Sequence, residues 1–519
     1  MTMQVRMRND HLPQCLPQAL LAALCMAAAG AQATTFTVTH AGDPGDPACT
    51  PGACSLRAAI LAANVAPGAD TIVFDIPGAG VQRIELASAL PTLQPPLTID
   101  GYTQPGAAAN TLTAQQGANN AQIRIHLSGS VNAVTTGFGA FSGPLLLRGL
   151  SLTGFTGSYL DFNAPANSTQ VYTVEGCYLG VAPDGTPASP PAIDAIRTFA
   201  LTQIGGIAPA ARNVVTGATR YLLSANNPRV VVEGNLFGVL PSGIALPPSA
   251  ARPETALNIV AGVSPSPAVF QDHRIGGAAP GARNVIGGAR SFGISMFCQN
   301  QAETCFDGAT IQGNAIGVDA AGTTPLPNGS TGGGALSLFL PFANQRVTVG
   351  GVAAGEGNLI AFNQGFGVQI DTRNDARVAV LGNEIRGNTG LPIQFAQSGL
   401  LLPNDAGDPD NGSNRLQNWP QLLSVTRTMS TTEVSYTVDS SPASSAYPLR
   451  VEFFLAFGNG AEIFLDSDTI AAEQAQAVRV KSLPFVLFEA LVATATDADG
   501  RTSQLSPPFP DAVFANGFE

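Results

Sequence analysis

Short runs of apolar and β-branched residues recur between residues 70 and 400, and turn residues separate them. Runs of about four to eight such residues, bounded by glycine and asparagine, are typical of β-strands. On this pattern we predict strands at 71–76, 83–86, 122–127, 145–152, 230–232, 347–349 and 378–381. Two longer intervals that lack the pattern, 182–202 and 240–257, are predicted to be turn insertions.

Two sequence phrases alternate along the same region. The first is Ile or Val followed by Gly-Gly, and an asparagine stands eight residues after its first glycine, at Asn213, Asn284 and Asn358. The second is Gly-x-x-x-Gly-Val, which begins at Gly176, Gly234 and Gly313, with a weaker copy at Gly382. Short strands marked at intervals in this way are typical of a stacked solenoid.

The repeat therefore predicts an all-β protein, a parallel β-helix in which each interval between markers holds one or two coils. Stacked strands lie about 4.8 Å apart. We expect Asn213, Asn284 and Asn358 to stand above one another, with their side-chain amides bonded along the axis. Glycine is expected at the corners, where the backbone needs a positive φ.

Both ends of the repeat region show a different pattern. At the N-terminal end, Leu56, Ala59, Ile60 and Ala63 share one face of a short helix, and Ser55 is a suitable N-cap. An open solenoid end exposes strand edges and an apolar core, so we predict that this helix covers that end. At the C-terminal end, strands predicted at 422–427, 433–438, 449–457, 462–465, 477–480 and 490–496 indicate a small antiparallel β-sandwich.

The predicted organisation has five parts. They are a signal peptide at 1–33, an N-terminal cap segment at 34–64, the parallel β-helix at 65–419, an Ig-like β-sandwich at 420–507 and a C-terminal tail at 508–519. The tail ends in Asn-Gly-Phe-Glu, which resembles the short tails of some secreted proteobacterial proteins. Two interpretations stay open: a sorting or handling tag, and an untethered terminus.

The cap segment carries a family resemblance. The stretch from Cys54 to Ile60, Cys-Ser-Leu-Arg-Ala-Ala-Ile, resembles the signature of the CSLREA-type domain. That domain begins many secreted bacterial proteins of the right-handed parallel β-helix, pectin-lyase-like superfamily. The resemblance continues through 72–77, 97–101, the repeats and 403–420, and it implies a right-handed β-helix. The family has Glu where this chain has Ala58; that Glu would complete a capping box, so its loss is expected to weaken the helix start by about 0.5–1 kcal/mol.

Pectate lyases and polygalacturonases share the scaffold that the resemblance implies, but a fold does not establish an activity. The polygalacturonase motifs and the pectate lyase Asp-His pairing are not found in this sequence. The cluster that best suits a Ca²⁺-assisted lyase is Asp371, Arg373 and Asp375, on one predicted turn. The alternative interpretation of these residues is a solvated turn with an internal salt bridge.

Residues 404–414 offer a candidate metal site. Asp405, Asp408 and Asp410 alternate with turn residues as in part of a calcium-binding loop, although the Glu expected at its end is replaced by Trp419. Calcium is thus the cofactor that the sequence suggests. The alternative is an Asx-turn loop that joins the two domains.

Charge and cysteine content narrow the function classes. The formal net charge is −12 and Lys481 is the one lysine, so the clustered positive face that binds nucleic acid or an anionic membrane is not expected. Cys49 with Cys54, and Cys298 with Cys305, are candidate disulfides for an oxidising compartment. Cys177 takes the place that Asn235 and Asn314 hold in other copies, and we predict a buried thiol in the stack.

The N-terminus predicts export. Arg6 and Arg8 precede an apolar run at 16–29, and Ala31-Gln32-Ala33 is a small-x-small cleavage site. The run is too short to span a bilayer comfortably, and no other stretch is predicted to be transmembrane. We therefore expect a secreted or cell-surface protein.

Two functions remain open at this stage. The first is a non-catalytic β-helix protein for adhesion or glycan binding. The second is a Ca²⁺-assisted polysaccharide lyase, or another carbohydrate-active enzyme, on the same scaffold. The acidic chain disfavours an anionic polymer unless an arginine-lined groove offsets the repulsion. The sequence does not indicate the oligomeric state.

Overall fold

A computed structural model describes residues 32–44, 48–165, 168–189, 191–226, 229–261, 272–299, 305–330, 332–342, 345–373, 376–396, 399–427, 430–456, 460–461, 463–484 and 490–510. Nearly all of the predicted signal peptide and residues 511–519 of the predicted tail lie outside these ranges. No helix among the described residues is long and apolar enough to cross a membrane.

Three long parallel sheets wind into a right-handed β-helix, and the chain visits the first, second and third sheet in turn. The first sheet contains Thr35–Val38, Asp70–Phe74, Leu97–Asp100, Leu145–Arg148, Val171–Glu175, Leu201–Gly205, Val230–Glu233, Arg274–Gly276, Ala309–Gln312, Arg346–Gly350 and Arg377–Leu381. The second contains Gln82–Glu85, Ile125–Ser128, Leu150–Thr153, Tyr178–Leu179, Val214–Val215, Leu236–Phe237, Val285–Ile286, Ala315–Ile316, Leu359–Ala361 and Glu384–Arg386. The third contains Thr136–Phe141, Ser158–Asn163, Ala192–Thr198, Ala218–Asn226, Thr255–Ala261, Phe292–Cys298, Gly334–Leu340, Phe366–Thr372 and Ile393–Phe395.

The predicted parallel β-helix is confirmed, but its third sheet was largely missed. Strand Ala192–Thr198 lies inside the insertion predicted at 182–202, and Thr255–Ala261 begins inside the one predicted at 240–257. The strand predicted at 145–152 is two strands, because Gly149 turns the corner between them with φ 70°. Each interval between glycine markers is one full coil, and inserted loops account for the unequal lengths.

A file of six buried asparagines runs along the corner between the first and second sheets: Asn213, Asn235, Asn284, Asn314, Asn358 and Asn383. Each amide nitrogen donates to the side-chain oxygen of the next asparagine over 2.9–3.0 Å. The three asparagines predicted to stack are all present, but Asn235 and Asn314 alternate with them, because the two sequence phrases occupy successive coils. Cys177 begins the file as a buried thiol whose backbone N–H donates to Asn213.

The helix Leu56–Ala63 closes one end of the column. Ser55 caps it by accepting a hydrogen bond from the Ala58 N–H. Leu56 and Ile60 are buried in the same apolar cluster as Ile72 of the first sheet, so the helix covers the core as predicted. The disulfides Cys49–Cys54 and Cys298–Cys305 are both formed.

Two antiparallel sheets close the other end, and they form the predicted sandwich. One contains Gln421–Arg427, Thr431–Thr437 and Arg479–Pro484; the other contains Ile463–Ile470, Leu449–Ala456, Ala490–Thr496 and Phe509–Pro510. Phe454 and Val492 belong to the core of the column rather than to the core of the sandwich. The Gly382 N–H donates to the buried Glu452 carboxylate, so the two parts share polar contacts as well.

Short 3₁₀ helices complete the described structure. They are Gly101–Thr103, Ala114–Gln116, Pro209–Ala211, Ser249–Ala251, Pro280–Ala282, Ser413–Leu416 and Ala472–Gln474. Two of them, Pro209–Ala211 and Pro280–Ala282, immediately precede an arginine and an asparagine of the repeat.

Asn284→Ala is expected to lower the free energy of unfolding by about 2–4 kcal/mol, because two or more buried groups lose their partners at about 1–3 kcal/mol each. The Asn284 amide donates to Val232 O and Asn314 and accepts from Asn235. Denaturant unfolding measures the change. Asn258→Ala, on the outer face of the third sheet, is the matched control and should change stability by about 0.5 kcal/mol or less. Equal losses in the two variants would contradict a structural role for the file.

Candidate functional site

Loops cover the outer face of the second sheet. Tyr178, Val214, Leu236 and Val285 point outward from it, yet each is at most 2% exposed. They form a second apolar cluster with residues of the inserted loops, such as Leu326. This face is therefore part of the protein interior and offers no long binding surface.

The outer face of the third sheet carries a continuous row of polar side chains. Asn258, Ser295 and Ser337 in its middle are partly exposed, whereas Ser224, Gln369 and Gln394 are 5–8% exposed. In-register pairing places one residue from each of eight strands in this row, which we call the polar file: Asp161, Arg197, Ser224, Asn258, Ser295, Ser337, Gln369 and Gln394. The remaining strand has Gly139 at this position. Because neighbouring strands are about 4.8 Å apart, the file offers one hydrogen-bonding side chain at each such step. Its last six members are uncharged amides and hydroxyls.

Aromatic rings border the polar file on both sides. Two residues further along their strands, Phe297 and Phe339 stack with 5.1 Å between ring centroids. On the other side, the rings of Phe292 and Phe366 approach to 6.1 Å across Gly334, which has no side chain to separate them. Phe297 and Phe339 thus give the file an accessible apolar margin on one side, whereas Phe366 on the other side is 3% exposed.

A groove lies at each end of this face. The C-terminal groove has a volume of about 700 Å³ and is lined by Phe366, Gln369 and Gln394 together with several glycines. The N-terminal groove, of about 500 Å³, is lined by Phe141, Asp161 and neighbouring residues.

Hydrogen bonds and backbone geometry hold the C-terminal groove in shape. Ser337 Oγ donates to Gln369 Oε1 over 3.1 Å, and Gln369 Nε2 donates to Ala396 O over 2.7 Å. Gly365 has φ 134°, and a Cβ there would lie 1.9 Å from Gly333 O. Any larger residue at position 365 would collide with the backbone of the neighbouring coil, so glycine is required there.

Charged residues gather near the N-terminal end of the same face. Asp194 accepts from Arg220 Nε over 2.9 Å, and Asp161 lies 3.7 Å from Arg197. Each arginine also lies over an aromatic ring, Arg197 over Phe199 at 5.0 Å. The sequence pattern does not single out Asp194 and Arg197, because their strand, Ala192–Thr198, lies inside the interval predicted to be a turn insertion. The sequence of this strand, Ala-Ile-Asp-Ala-Ile-Arg-Thr, does not alternate strictly between apolar and polar residues, so its strand signal is weak.

The structure brings two of the three predicted catalytic residues together. Asp371 points outward from the third sheet beside Phe339. Burial raises the pKa of its carboxyl, while Arg373, whose Nε is 3.9 Å from Asp371 Oδ1, lowers it. The Arg373 guanidinium also lies over the Phe339 ring, 5.8 Å from its centroid. Asp375 lies outside the described residues, and a catalytic role for this group stays a prediction.

The candidate calcium loop is held by neutral donors. Asp408 is 4% exposed, and its carboxylate accepts from Gln417 Nε2 at 2.6 Å, Ser440 Oγ at 2.7 Å and Ser445 Oγ at 3.1 Å. Burial raises the pKa of Asp408, and the hydrogen bonds from Ser440, Ser445 and the Asn418 N–H oppose that shift. Asp405 lies close enough to raise the pKa of Asp410 further, although burial is the larger cause.

Within the described ranges, no three or more His, Cys, Asp or Glu residues are grouped so that they could hold a metal ion. The partners of Asp408 come from the loop itself and from the sandwich, which agrees with the alternative interpretation of a joining loop. Calcium binding by Asp405, Asp408 and Asp410 stays a prediction.

Comparisons with known proteins give little beyond the fold. No protein-family model matches the chain, and no curated protein matches it. Among solved structures, the chain is similar to the tailspike protein gp49 from Acinetobacter baumannii bacteriophage Fri1, a capsular polysaccharide depolymerase. The similarity covers 84% of this chain and 75% of the tailspike chain, with 9% sequence identity and a TM-score of 0.25. At that level the similarity does not bear on ligand or activity.

Asp408→Ala is expected to destabilise the protein by about 1–3 kcal/mol, because buried donors of Gln417, Ser440 and Ser445 lose their acceptor. Thermal unfolding with added Ca²⁺, and separately with a chelator, measures the change. If neutral donors hold the carboxylate, the loss is the same in both conditions, and Asp410→Ala has little effect in either. A loss that occurs only with Ca²⁺ and is shared by Asp410→Ala would instead establish the calcium loop.

Proposed function

We propose that this protein is exported and binds an extended glycan along the outer face of its third sheet, without catalysing a reaction on it. The observation that carries the proposal is the polar file with the aromatic margin of Phe297 and Phe339 beside it. The middle of this face is partly exposed, whereas the outer face of the second sheet is buried under loops.

The chemistry of the face suits a sugar chain. A sugar ring carries hydroxyl groups around its rim and apolar C–H groups on its faces. Amide and hydroxyl side chains both donate and accept hydrogen bonds, and Asn258, Ser295 and Ser337 supply them on successive strands. Aromatic side chains such as Phe297 and Phe339 supply apolar contact area beside them. Binding sites generally combine apolar area with a few placed polar groups in this way.

The direction of the file suggests how the ligand lies. Eight strands contribute to it, so it spans roughly 35 Å at about 4.8 Å per strand. A chain that ran across the strands, along the axis of the column, would meet a polar side chain at each step. The two grooves lie at the ends of this path and provide room for the ends or the branches of the glycan.

Charge favours a neutral glycan over an acidic one. The formal net charge of the chain is −12, which repels an anionic polymer. On the face itself, Arg197 and Arg220 are already paired with Asp161 and Asp194. Among the described residues, those that line the C-terminal groove are all uncharged.

Phe339→Ala and Gln369→Ala are each expected to weaken binding at least tenfold, which corresponds to about 1.4 kcal/mol. The measurement is a glycan array with purified protein, followed by calorimetric titration with the best ligand. Thr348→Ala, on the outer face of the first sheet, is the control and should bind as the parent does. Binding that the first two variants leave unchanged would place the ligand elsewhere. A complete array without any bound glycan would overturn the proposal.

A second candidate function is a carbohydrate-active enzyme, including a Ca²⁺-assisted lyase. The observation that favours it is the Asp371–Arg373 pair, which lies on the same face as the polar file. A lyase releases an unsaturated uronate that absorbs ultraviolet light, so a screen of polyuronates tests it. Product formation that Arg373→Ala abolishes while glycan binding persists would favour the enzyme over the binding protein.

A further inference from the structure

A buried arginine without an acidic partner lies outside the third sheet. Arg212 is 3% exposed. Its Nε donates to Gly234 O over 2.9 Å and its Nη1 donates to Ala118 O over 2.7 Å. It forms no ion pair with any carboxylate of the described residues. Burial lowers the pKa of Arg212 to about 10, and no negative group opposes that effect.

In the next copy of the repeat, the corresponding arginine does have a negative charge nearby. Arg283 stands in the same place before the asparagine and makes the same kind of bonds, Nε to Gly313 O over 3.1 Å and Nη1 to Ala320 O over 3.0 Å. Burial lowers the pKa of Arg283 too, but the negative charge of Glu384 raises it. Arg283 thus has a carboxylate within electrostatic range, and Arg212 has none among the described residues.

A cavity lies beside the arginine that lacks this charge. Its volume is about 170 Å³, and Arg212 lines it together with Thr113, Gln115, Ile207 and Pro209. A buried cation without a counter-charge is unfavourable. An arginine guanidinium binds carboxylate, phosphate and sulfate groups through short, charge-assisted hydrogen bonds.

We propose that the cavity at Arg212 is a binding site for one small oxyanion or for the carboxylate of an acidic sugar. The site lies at the turns between the first and second sheets and is separate from the glycan-binding face. The bound anion would supply the negative charge that Glu384 supplies near Arg283. It would also tie the loop that carries Ala118 to the column, because Arg212 already holds that loop through its carbonyl.

Calorimetric titration of the full chain tests the proposal with three probes: inorganic phosphate, sulfate and glucuronate. The expected result is saturable binding of one anion per chain for at least one probe, and the rank of the three identifies the source. Arg212→Met should weaken binding at least tenfold, whereas Arg283→Met should leave it within about twofold. Absence of saturable binding of all three probes to the parent protein would overturn the proposal.

Thermal unfolding gives a second readout that separates specific binding from general salt effects, since sulfate and phosphate stabilise many proteins by exclusion from the surface. A specific anion raises the Tm of the parent more than that of Arg212→Met at equal ionic strength. Equal Tm increases in the two proteins would contradict a site. Arg212→Lys keeps the positive charge and serves if Arg212→Met does not fold; it should retain weaker, still saturable binding.

Discussion

The hydrogen bonds between stacked asparagine side chains are the constraint on which the rest of this structure depends. Each amide except the last donates to the asparagine of the next coil and to a backbone carbonyl of the preceding coil, as Asn314 does to Asn358 and to Ile275 O. Buried polar groups are costly unless they are all satisfied. A shift of one coil by a single residue would break several such bonds at once, so the file fixes the register of all three sheets.

Because the asparagine file fixes the corners, the rest of each coil can vary in length and sequence. The outer faces of the sheets differ for that reason. Insertions leave the corners of the second sheet and fold back over it, where arginines such as Arg212 and Arg283 hold them by backbone carbonyls. On the outer face of the third sheet, Asn258, Ser295 and Ser337 stay partly exposed. Function is proposed there because the face combines rigid spacing with side chains that the fold does not require.

The same division explains what could be predicted from the sequence. Asn213 and Gly205 were found because the corner geometry restricts those positions to few residue types; Gly205, with φ 75°, is one of them. The strand Ala192–Thr198 was missed because a strand of the third sheet needs only inward apolar residues, a weak pattern beside a loop. The partners of Asp408 were unpredictable for another reason: Ser440 is 32 residues away and approaches only when the sandwich docks.

Because the sandwich docks on the column, the two ends of the column are stabilised by different kinds of interaction. The helix Leu56–Ala63 covers the first end mainly with apolar side chains. At the second end the buried amide of Asn414 donates to Val378 O in the column and to Thr502 O in the sandwich, while Val380 N donates to Thr502 Oγ1. Separating the sandwich would leave these buried groups unpaired and would expose Phe454 and Val492. The column and the sandwich therefore stabilise each other as one folded unit, and the polar face of the third sheet keeps its spacing up to its last strand because the end beyond it is closed.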